Sequence, residues 1–280
     1  MPRILAVGIA TLDIVNRVSA YPEEDAEIRA LSQQRRRGGN ATNTLVALSQ
    51  LGHSPAWAGV LPVEADSELV LEDLALHDVD ISAVVRPSSG KLPTSYITLS
   101  EVTGSRTIVH YRDLSEYGFA DFDRLELNDY DWVHFEGRNV SQLKPMLEKT
   151  RRLGVPCSLE VEKPRQDIES LFALPDVLLF SRTWVMAQGF DSPGAFLRER
   201  ADAQPVFLPW GSAGAWGRLA NGDLLHVPAP EVRVVDSIGA GDVFNAGVID
   251  AILKGLSGRR LLEHAVQLAS AKCAREGLVT

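Results

Sequence analysis

The chain is poor in the residues that cross-link small secreted proteins or hold structural metals. Its 280 residues include only two cysteines, Cys157 and Cys273, which are too few for a disulfide framework and do not form a zinc motif. None of the six histidines forms a His-x-x-x-His pair. A chain of this length can build a stable core without such cross-links. We therefore expect a reducing compartment, the cytoplasm.

Long apolar runs and basic clusters are also scarce. The longest uncharged stretch near the N-terminus, residues 4–12, is too short to span a membrane and is more typical of a buried strand than of a signal peptide. Basic residues number 28 against 37 acidic ones, a net charge of −9. This balance argues against nucleic acid as a partner, and we expect no membrane partner. A polyanion would need local positive fields from arginines, helix N-termini or a divalent metal.

Short apolar runs alternate with helical patterns along most of the chain. Nearly continuous apolar strands are typical of a parallel sheet covered on both faces, which predicts an α/β protein with a mostly parallel central sheet. We expect one domain over residues 1–280, closed by two packed helices at 240–253 and 261–274. The predicted strands lie at residues 4–7, 132–135, 155–161, 177–180 and 206–208.

Two segments, residues 14–34 and 94–111, instead contain stretches in which polar and apolar residues alternate. That period is typical of half-exposed strands. We expect a small antiparallel β-sheet, formed by about residues 12–36 and 93–112, that projects from the main domain as a lid or an interface.

A glycine-rich turn follows the β-branched pair Val234 and Val235 and precedes a predicted helix. Glycines at 239 and 241 let backbone N–H groups converge at a helix N-terminus, which suits a phosphate. Asp242 then falls in the first helical turn, where it could instead be an ordinary capping residue. The segment matches neither the dinucleotide fingerprint nor the P-loop, because no third glycine and no Gly-Lys-Ser/Thr follow.

A second glycine-rich start, Arg-Gly-Gly-Asn-Ala-Thr-Asn at residues 37–43, opens a helix that extends to about Leu51. Asn40 and Asn43 are three residues apart, so both amides lie on one face and could bind a polyhydroxy ligand. An N-cap role for Asn40 is the structural alternative. Asp13, after the first apolar run, is placed to accept hydrogen bonds from a sugar or simply to form a turn.

Together these segments resemble the PfkB family of sugar kinases, which includes ribokinase and adenosine kinase. The resemblance rests on Gly-Gly-Asn-x-x-Asn at residues 38–43 and Asp-Ser-x-Gly-Ala-Gly-Asp at residues 236–242, and it covers essentially the whole chain. Within the family the sequence is most similar to the ketohexokinase (fructokinase) branch, through residues 21–29, 135–139 and 160–165. The resemblance implies a ribokinase-like fold and ATP as the phosphate donor.

The resemblance also implies roles for individual residues. Asp242 would be the catalytic base, and Gly239, Ala240 and Gly241 would form the anion hole. A helix N-terminus should lower the pKa of Asp242. The sugar would be held by residues of several segments, with one acid supplied by the partner subunit of a homodimer joined through the lid. These sugar-binding residues would be Asp13, Gly39, Asn40, Asn43, Arg106 and Arg138, together with the partner-derived acid Asp25.

On the nucleotide side, the resemblance implies contacts from Ser212, Gly214, Gly239, Gly241 and Cys273. Glu160 and Glu162, two residues apart on a predicted strand, would organise Mg²⁺ through water, or they could be exposed strand-end acids. Asp236 and Ser237 occupy a place where many relatives hold K⁺.

The sequence departs from the family pattern at Ser105, where ketohexokinases have an asparagine, and at residues 181–184, where the Asn-x-x-Glu motif of ribokinases is absent. We expect an ATP-dependent, Mg²⁺-requiring sugar kinase acting on a primary hydroxyl of fructose or a similar ketose. Kinases for ribose, ketodeoxygluconate, phosphosugars or nucleosides share these motifs. A non-catalytic sugar- or nucleotide-binding regulator is a further alternative, although such a protein has no need for Asp242.

Overall fold

The computed structural model describes residues 1–200 and 203–278. Its strands are β1 (Arg3–Val7), β2 (Thr11–Val18), β3 (Ser32–Gly38), β4 (Ser54–Ala58), β5 (Thr94–Ser100), β6 (Arg106–Tyr111), β7 (Trp132–Glu136), β8 (Cys157–Val161), β9 (Val177–Phe180), β10 (Val206–Pro209), β11 (Ala215–Arg218) and β12 (Leu224–Val227). Its helices are α1 (Asn40–Gln50), α2 (Asp66–Leu76), α3 (Phe119–Phe122), α4 (Val140–Leu153), α5 (Arg182–Ala187), α6 (Pro193–Glu199), α7 (Ala240–Leu253) and α8 (Gly258–Cys273).

The larger sheet has eight strands in the order β12-β11-β10-β9-β8-β7-β1-β4. The six strands from β4 to β10 in this order run parallel, and β11 and β12 add an antiparallel edge. This confirms the predicted mostly parallel sheet. The apolar runs did not predict β4, β11 or β12, because β4 contains Pro55 and two alanines, and β11 contains Gly217 and Arg218. Such residues are tolerated at sheet edges, where strand propensity matters least.

The central strand β1 shows why the sheet is covered on both faces. Ile4 and Ala6 pack into one hydrophobic cluster with α1, α2, α7 and α8, whereas Leu5 and Val7 pack into a second cluster with α4, α5 and α6. All four side chains are buried. Successive residues of a strand point to opposite faces, so a strand with helices on both sides must be apolar throughout.

The last two helices pack closely, as predicted. α8 begins at Gly258, three residues before the predicted apolar pattern. Among the described residues, no helix is long and apolar enough to cross a membrane.

A separate four-stranded sheet has the order β3-β2-β5-β6. β5 and β6 lie within the predicted segment 93–112, whereas β2 begins one residue before the predicted segment 12–36 and β3 ends two residues after it. The pairs β2–β3 and β5–β6 are antiparallel, but the central pair β2–β5 is parallel. The expectation of a fully antiparallel sheet was therefore wrong. β2 and β5 are joined through β3, α1, β4 and α2 rather than by a hairpin, and a long connection permits parallel pairing. We call this element the small sheet.

Candidate active site

Two helix starts and two strand-end carboxylates meet at the carboxyl edge of the larger sheet. Glu136, the last residue of β7, accepts a hydrogen bond from the backbone N–H of Ile9 at 2.9 Å. Glu160, near the end of β8, accepts from Asn40 of α1 and from Asn245 of α7, each at 3.1 Å. The carboxyl ends of parallel strands are where α/β proteins bind ligands.

The glycine-rich turn forms the N-terminus of α7. Gly239 is the N-cap residue with a φ of 82°, a left-handed conformation that favours glycine, and no side chain caps the helix. A Cβ added at Gly241 would meet no other atom within 4 Å, so open space lies in front of the first turn. We call residues 239–241 the anion loop, since uncapped N–H groups facing open space suit a phosphate.

Asp242 is buried beside this loop and is oriented by a chain of hydrogen bonds. The side-chain amide of Asn43 donates to Asp242 Oδ2 at 2.7 Å. Asn43 Oδ1 in turn accepts from the Arg37 guanidinium at 2.7 Å, and Arg37 is anchored by Asp73 at 2.5 Å. Because Arg37 occupies the amide oxygen, the NH₂ group of Asn43 must face the carboxylate.

The pKa of Asp242 lies well above its ordinary value. Burial is the main cause, and the carboxylates of Glu162 and Glu136 add to it, while the Asn43 hydrogen bond and the Arg37 charge act in the opposite direction. The expectation that the helix N-terminus lowers this pKa was therefore wrong, because loss of solvent outweighs the field of the helix end. Once ionised, such a carboxylate is a stronger proton acceptor than an exposed aspartate.

Glu160 is buried, which excludes the exposed-acid alternative for this residue. Its Oε1 accepts both amide hydrogen bonds, but its buried Oε2 has no hydrogen-bond partner. Burial, followed by the charges of Asp242, Glu136 and Glu162, raises its pKa well above the ordinary value. Glu162 is half-buried, with Lys163 Nζ 3.4 Å from its carboxylate.

Among residues 1–200 and 203–278, no group of three or more His, Cys, Asp or Glu side chains is arranged to hold a metal ion. A divalent ion at Glu160 would therefore depend on water or ligand oxygens for most of its coordination. The unpartnered Glu160 Oε2 fits such an arrangement.

Asp13 lies on the small sheet, as the third residue of β2, rather than directly at the end of β1 as expected. Its carboxylate is buried and accepts from Thr11 Oγ1 at 2.8 Å. A Cβ added at Gly38 would lie 2.2 Å from Asp13 Oδ2, and one at Gly39 would lie 2.3 Å from the carbonyl oxygen of Ile9. The two glycines thus let the start of α1 approach both β2 and the loop after β1.

A pocket adjoining the β1–β2 turn is lined in part by Arg138. The Arg138 guanidinium donates to Glu136 Oε1 at 3.1 Å and to Glu116 Oε1 at 2.9 Å. Arg112 also lines this pocket, and its Nη1 lies 3.2 Å from Glu116 Oε1. Two arginines and two glutamates therefore balance their charges at one side of the site.

Two predicted sugar-binding residues lie away from this cluster. Asp25 is exposed in a turn between β2 and β3, with a φ of 64°. Arg106 is exposed on β6, in register with Leu99, whereas Asp13 aligns with Ser95 and thus with His110. Four residues of strand separate Arg106 from His110, a distance of about 13 Å. The structure does not bring either residue to Asp242.

The predicted nucleotide-side residues outside the anion loop lie on two other segments, one around β11 and one at the end of α8. Ser212 is exposed, and Cys273 is half-buried at the end of α8. Gly214 has a φ of 92°, and a Cβ there would lie 2.0 Å from the carbonyl oxygen of Val227. The close approach to the strand end after β12 thus requires this glycine, whether or not a nucleotide binds beside it.

Sequence reasoning did not assign Arg37, Arg112, Glu136 or Asn245 to the site. Asn245 follows Asp242 by three residues in α7, so helical spacing could have placed both side chains on one face. Arg37 adjoins the two glycines before α1, but its place in the sequence gave it no role. Its role becomes visible only in three dimensions.

Comparisons with known proteins agree with this geometry. Residues 1–280 match the pfkB family of carbohydrate kinases. The chain is 37% identical over 290 residues to the ketohexokinase of Mus musculus, covering 98% of this chain and 97% of the relative. It is 26% identical over 280 residues to the ATP-dependent ribose-1-phosphate kinase of Halopiger xanaduensis, covering 99% and 94%.

Solved structures show the same fold. Arabidopsis thaliana ribokinase, complexed with ribose and ATP, superposes with a TM-score of 0.81 at 21% identity, covering 99% of this chain and 94% of that one. The ribokinase of Thermotoga maritima superposes with a TM-score of 0.78 at 20% identity, covering 99% and 95%. The family match over the whole chain, with the 37% identity to a ketohexokinase, shows that this protein belongs to the pfkB family of carbohydrate kinases and is an ATP-dependent sugar kinase.

Proposed function

We propose that the protein phosphorylates a primary hydroxyl of a ketohexose such as fructose. The observation that carries this proposal is the buried Asn43–Asp242 hydrogen bond of 2.7 Å beside the uncapped anion loop. A carboxylate beside such a loop supports proton transfer from a hydroxyl during phosphoryl transfer. The identity to a protein named ketohexokinase supports the choice of a ketose.

In this proposal the sugar hydroxyl oxygen attacks the γ-phosphorus of ATP, its proton passes to Asp242, and ADP leaves. N–H groups of Gly239, Ala240 and Gly241 stabilise the negative charge on the transferring group. They are fixed by the helix and need no rearrangement, which is the main requirement of phosphoryl transfer.

The sugar lies between the start of α1 and the pocket of Arg138. Asp13, Asn40 and Asn43 would hold its hydroxyls, with Gly39 allowing close approach. Within residues 1–200 and 203–278, the buried carboxylate of Asp13 accepts one side-chain hydrogen bond, that of Thr11, and so keeps lone pairs for a ligand.

We further propose that the small sheet closes over the sugar and carries Arg106 towards the phosphates. A homodimer through this sheet would bring Asp25 of the partner subunit to the sugar. The sheet and its β2–β3 loop expose several large apolar side chains, which supports an interface: Ile28 and Leu31 in the loop, and Tyr96, Ile108, Val109 and Tyr111 on the strands. Sedimentation at micromolar concentration should show a dimer, and a species of 30.5 kDa alone would reject this part of the proposal.

Mg²⁺ would be held by Glu160, through water and with help from Glu162. The buried, unpartnered Glu160 Oε2 supports this assignment. When bound, the ion offsets phosphate charge. The nucleotide would extend past Ser212 and Gly214 towards Cys273. Cys157 and Cys273 are both free thiols, in keeping with a cytoplasmic enzyme.

A phosphosugar is the second candidate substrate. Arg112 and Arg138 in the pocket favour an anionic substrate, and one relative is named a ribose-1-phosphate kinase. Glu116 lies within 3.2 Å of both guanidinium groups, however, and offsets their charge. A neutral ketose therefore fits the charge balance better.

The test is ADP release from Mg-ATP with fructose, tagatose, ribose, ketodeoxygluconate, adenosine and the 1-phosphates of fructose and ribose. Asp242→Asn serves as the matched blank, because it keeps a hydrogen-bond acceptor for Asn43. We expect fructose to give the highest kcat/KM. A phosphosugar that exceeds fructose would move the substrate assignment, and sugar binding without turnover would support the non-catalytic alternative.

A further inference from the structure

A buried lysine occupies the turn that leads into the anion loop. Lys272, in the last turn of α8, has no exposed surface. Its Nζ donates to the backbone carbonyl of Asp236 at 2.6 Å and lies 3.2 Å from Asp236 Oδ2. Lysines are almost never fully buried unless they are paired.

Asp236 connects this lysine to the loop. Its Oδ1 accepts from the backbone N–H of Ile238 at 2.9 Å, and Gly239 follows directly. Its Oδ2 also receives the Arg36 guanidinium at 3.0 Å. The backbone N–H groups of Val235 and Asp236 donate to the Cys273 carbonyl at 2.8 and 3.3 Å. The end of α8 thus fixes the position of the chain just before the anion loop.

Asp236 and Ser237 occupy a place where many relatives hold K⁺, and these contacts bear on whether K⁺ fits there. A bound K⁺ needs carbonyl and carboxylate oxygens with free lone pairs. Here the Asp236 carbonyl and Oδ2 already face the Lys272 ammonium, and Oδ1 is taken by Ile238. A K⁺ ion at these oxygens would be repelled by the Lys272 ammonium and by the Arg36 guanidinium. The residues present therefore do not fit K⁺.

We propose that the Lys272 ammonium is a built-in monovalent cation that positions the anion loop, so that this kinase needs no K⁺. The inference rests on the proposed phosphate-binding role of residues 239–241. Lys272 acts through Asp236 and is a positioning residue. A merely structural lysine would stabilise the fold without affecting nucleotide affinity or the response to salt.

The first test compares the wild-type enzyme in KCl and in tetramethylammonium chloride at equal ionic strength. We expect kcat and the KM for ATP to agree within about twofold, since an occupied cation position leaves nothing for K⁺ to add. In Lys272→Met, loss of the charged donor should lower kcat/KM for ATP about 10- to 100-fold in tetramethylammonium. Added K⁺ or NH₄⁺ should restore kcat/KM for ATP in this variant, and the restoration should saturate as the salt concentration rises. Lys144→Met, at an exposed lysine of α4, should match the wild type in both salts.

Two readouts do not depend on sugar turnover. Calorimetry should give the same ADP affinity for the wild type in both salts, and a weaker, K⁺-dependent affinity for Lys272→Met. Crystals soaked in Tl⁺ should show no anomalous peak at Asp236 in the wild type and a peak there in the variant.

Tenfold activation of the wild type by K⁺, salt-dependent ADP affinity, or Tl⁺ bound at Asp236 would each overturn the inference. A Lys272→Met enzyme as active as the wild type without K⁺ would do the same. Should that variant fail to fold, the wild-type salt comparison still decides. Should no sugar be phosphorylated, the proposed substrate fails, while ADP binding and Tl⁺ still test the role of Lys272.

Discussion

Two aspartates on α7 allow catalysis to be separated from stability. Asp242→Asn keeps an oxygen that can accept the 2.7 Å hydrogen bond from Asn43 but removes a buried charge. Loss of the proton acceptor should lower kcat about 10²- to 10⁴-fold, or roughly 3–5 kcal/mol, with little change in ATP affinity.

The same change should make the protein more stable. Burial raises the pKa of Asp242, so folding favours the protonated form, and this contribution is lost as the pH rises through the folded-state pKa. Asparagine carries no charge to desolvate. At pH 8 we expect the free energy of unfolding to increase by about 1 kcal/mol and Tm to increase by about 2–4 °C.

Asp250, two turns further along α7, provides the matched control. It is completely buried and pairs with His53 at 2.8 Å, His264 at 2.6 Å and Lys254 at 2.9 Å. Burial opposes its ionisation, but hydrogen bonds from these partners outweigh burial and lower its pKa from 3.8 to about 2. Such a lowering corresponds to roughly 2 kcal/mol at neutral pH, and solvent screening at the half-exposed Lys254 leaves about 1–2 kcal/mol.

Asp250→Asn should therefore destabilise the protein at pH 7 and leave kcat unchanged. The stabilising contribution of a carboxyl with a lowered pKa is present above its unfolded pKa and disappears as the pH falls towards 2, so the difference from wild type should shrink in acid. Urea unfolding, monitored by tryptophan fluorescence, measures the change in stability, and ADP release measures kcat. Turnover by Asp242→Asn within tenfold of wild type would refute the base assignment, and a pH-independent loss in Asp250→Asn would refute the ionic origin of its stability.

Two further variants test the electrostatics of the site. Arg37→Met frees the Asn43 amide to rotate, so kcat/KM for the sugar should fall about tenfold or more. Arg35→Met, at an exposed arginine, should have no effect on kcat/KM. Equal effects of the two substitutions would reject the orienting role of Arg37. Glu162→Gln removes a charge that raises the pKa of Asp242, so the acidic limb of the pH profile of kcat/KM should move to lower pH. An acidic limb that stays in place or moves to higher pH would contradict this effect of Glu162 on Asp242.

The parts of the fold that follow from local patterns were predictable. The apolar strands β1 and β7 to β10 form the buried middle of the sheet, and burial on both faces imposes a sequence that is easy to recognise. The strands β4, β11 and β12, which lie at or next to the edges of the sheet, were not predicted. The parallel pairing of β2 with β5 depends on the path of the chain between them, which no local alternation encodes.

The glycines and asparagines at the two helix starts were recognisable because their backbone geometry is local. The raised pKa of Asp242 was not, since it results from burial and from Glu162 and Glu136, which lie at the ends of other strands. The field of the helix end, considered alone, predicts a lowered pKa for Asp242, which is the wrong direction. The cation at Asp236 follows the same logic: the sequence shows the acid, but only the packing of α8 shows that Lys272 already supplies its counter-charge. Short motifs therefore locate the candidate site residues, while the pKa values of these residues depend on groups distant in sequence.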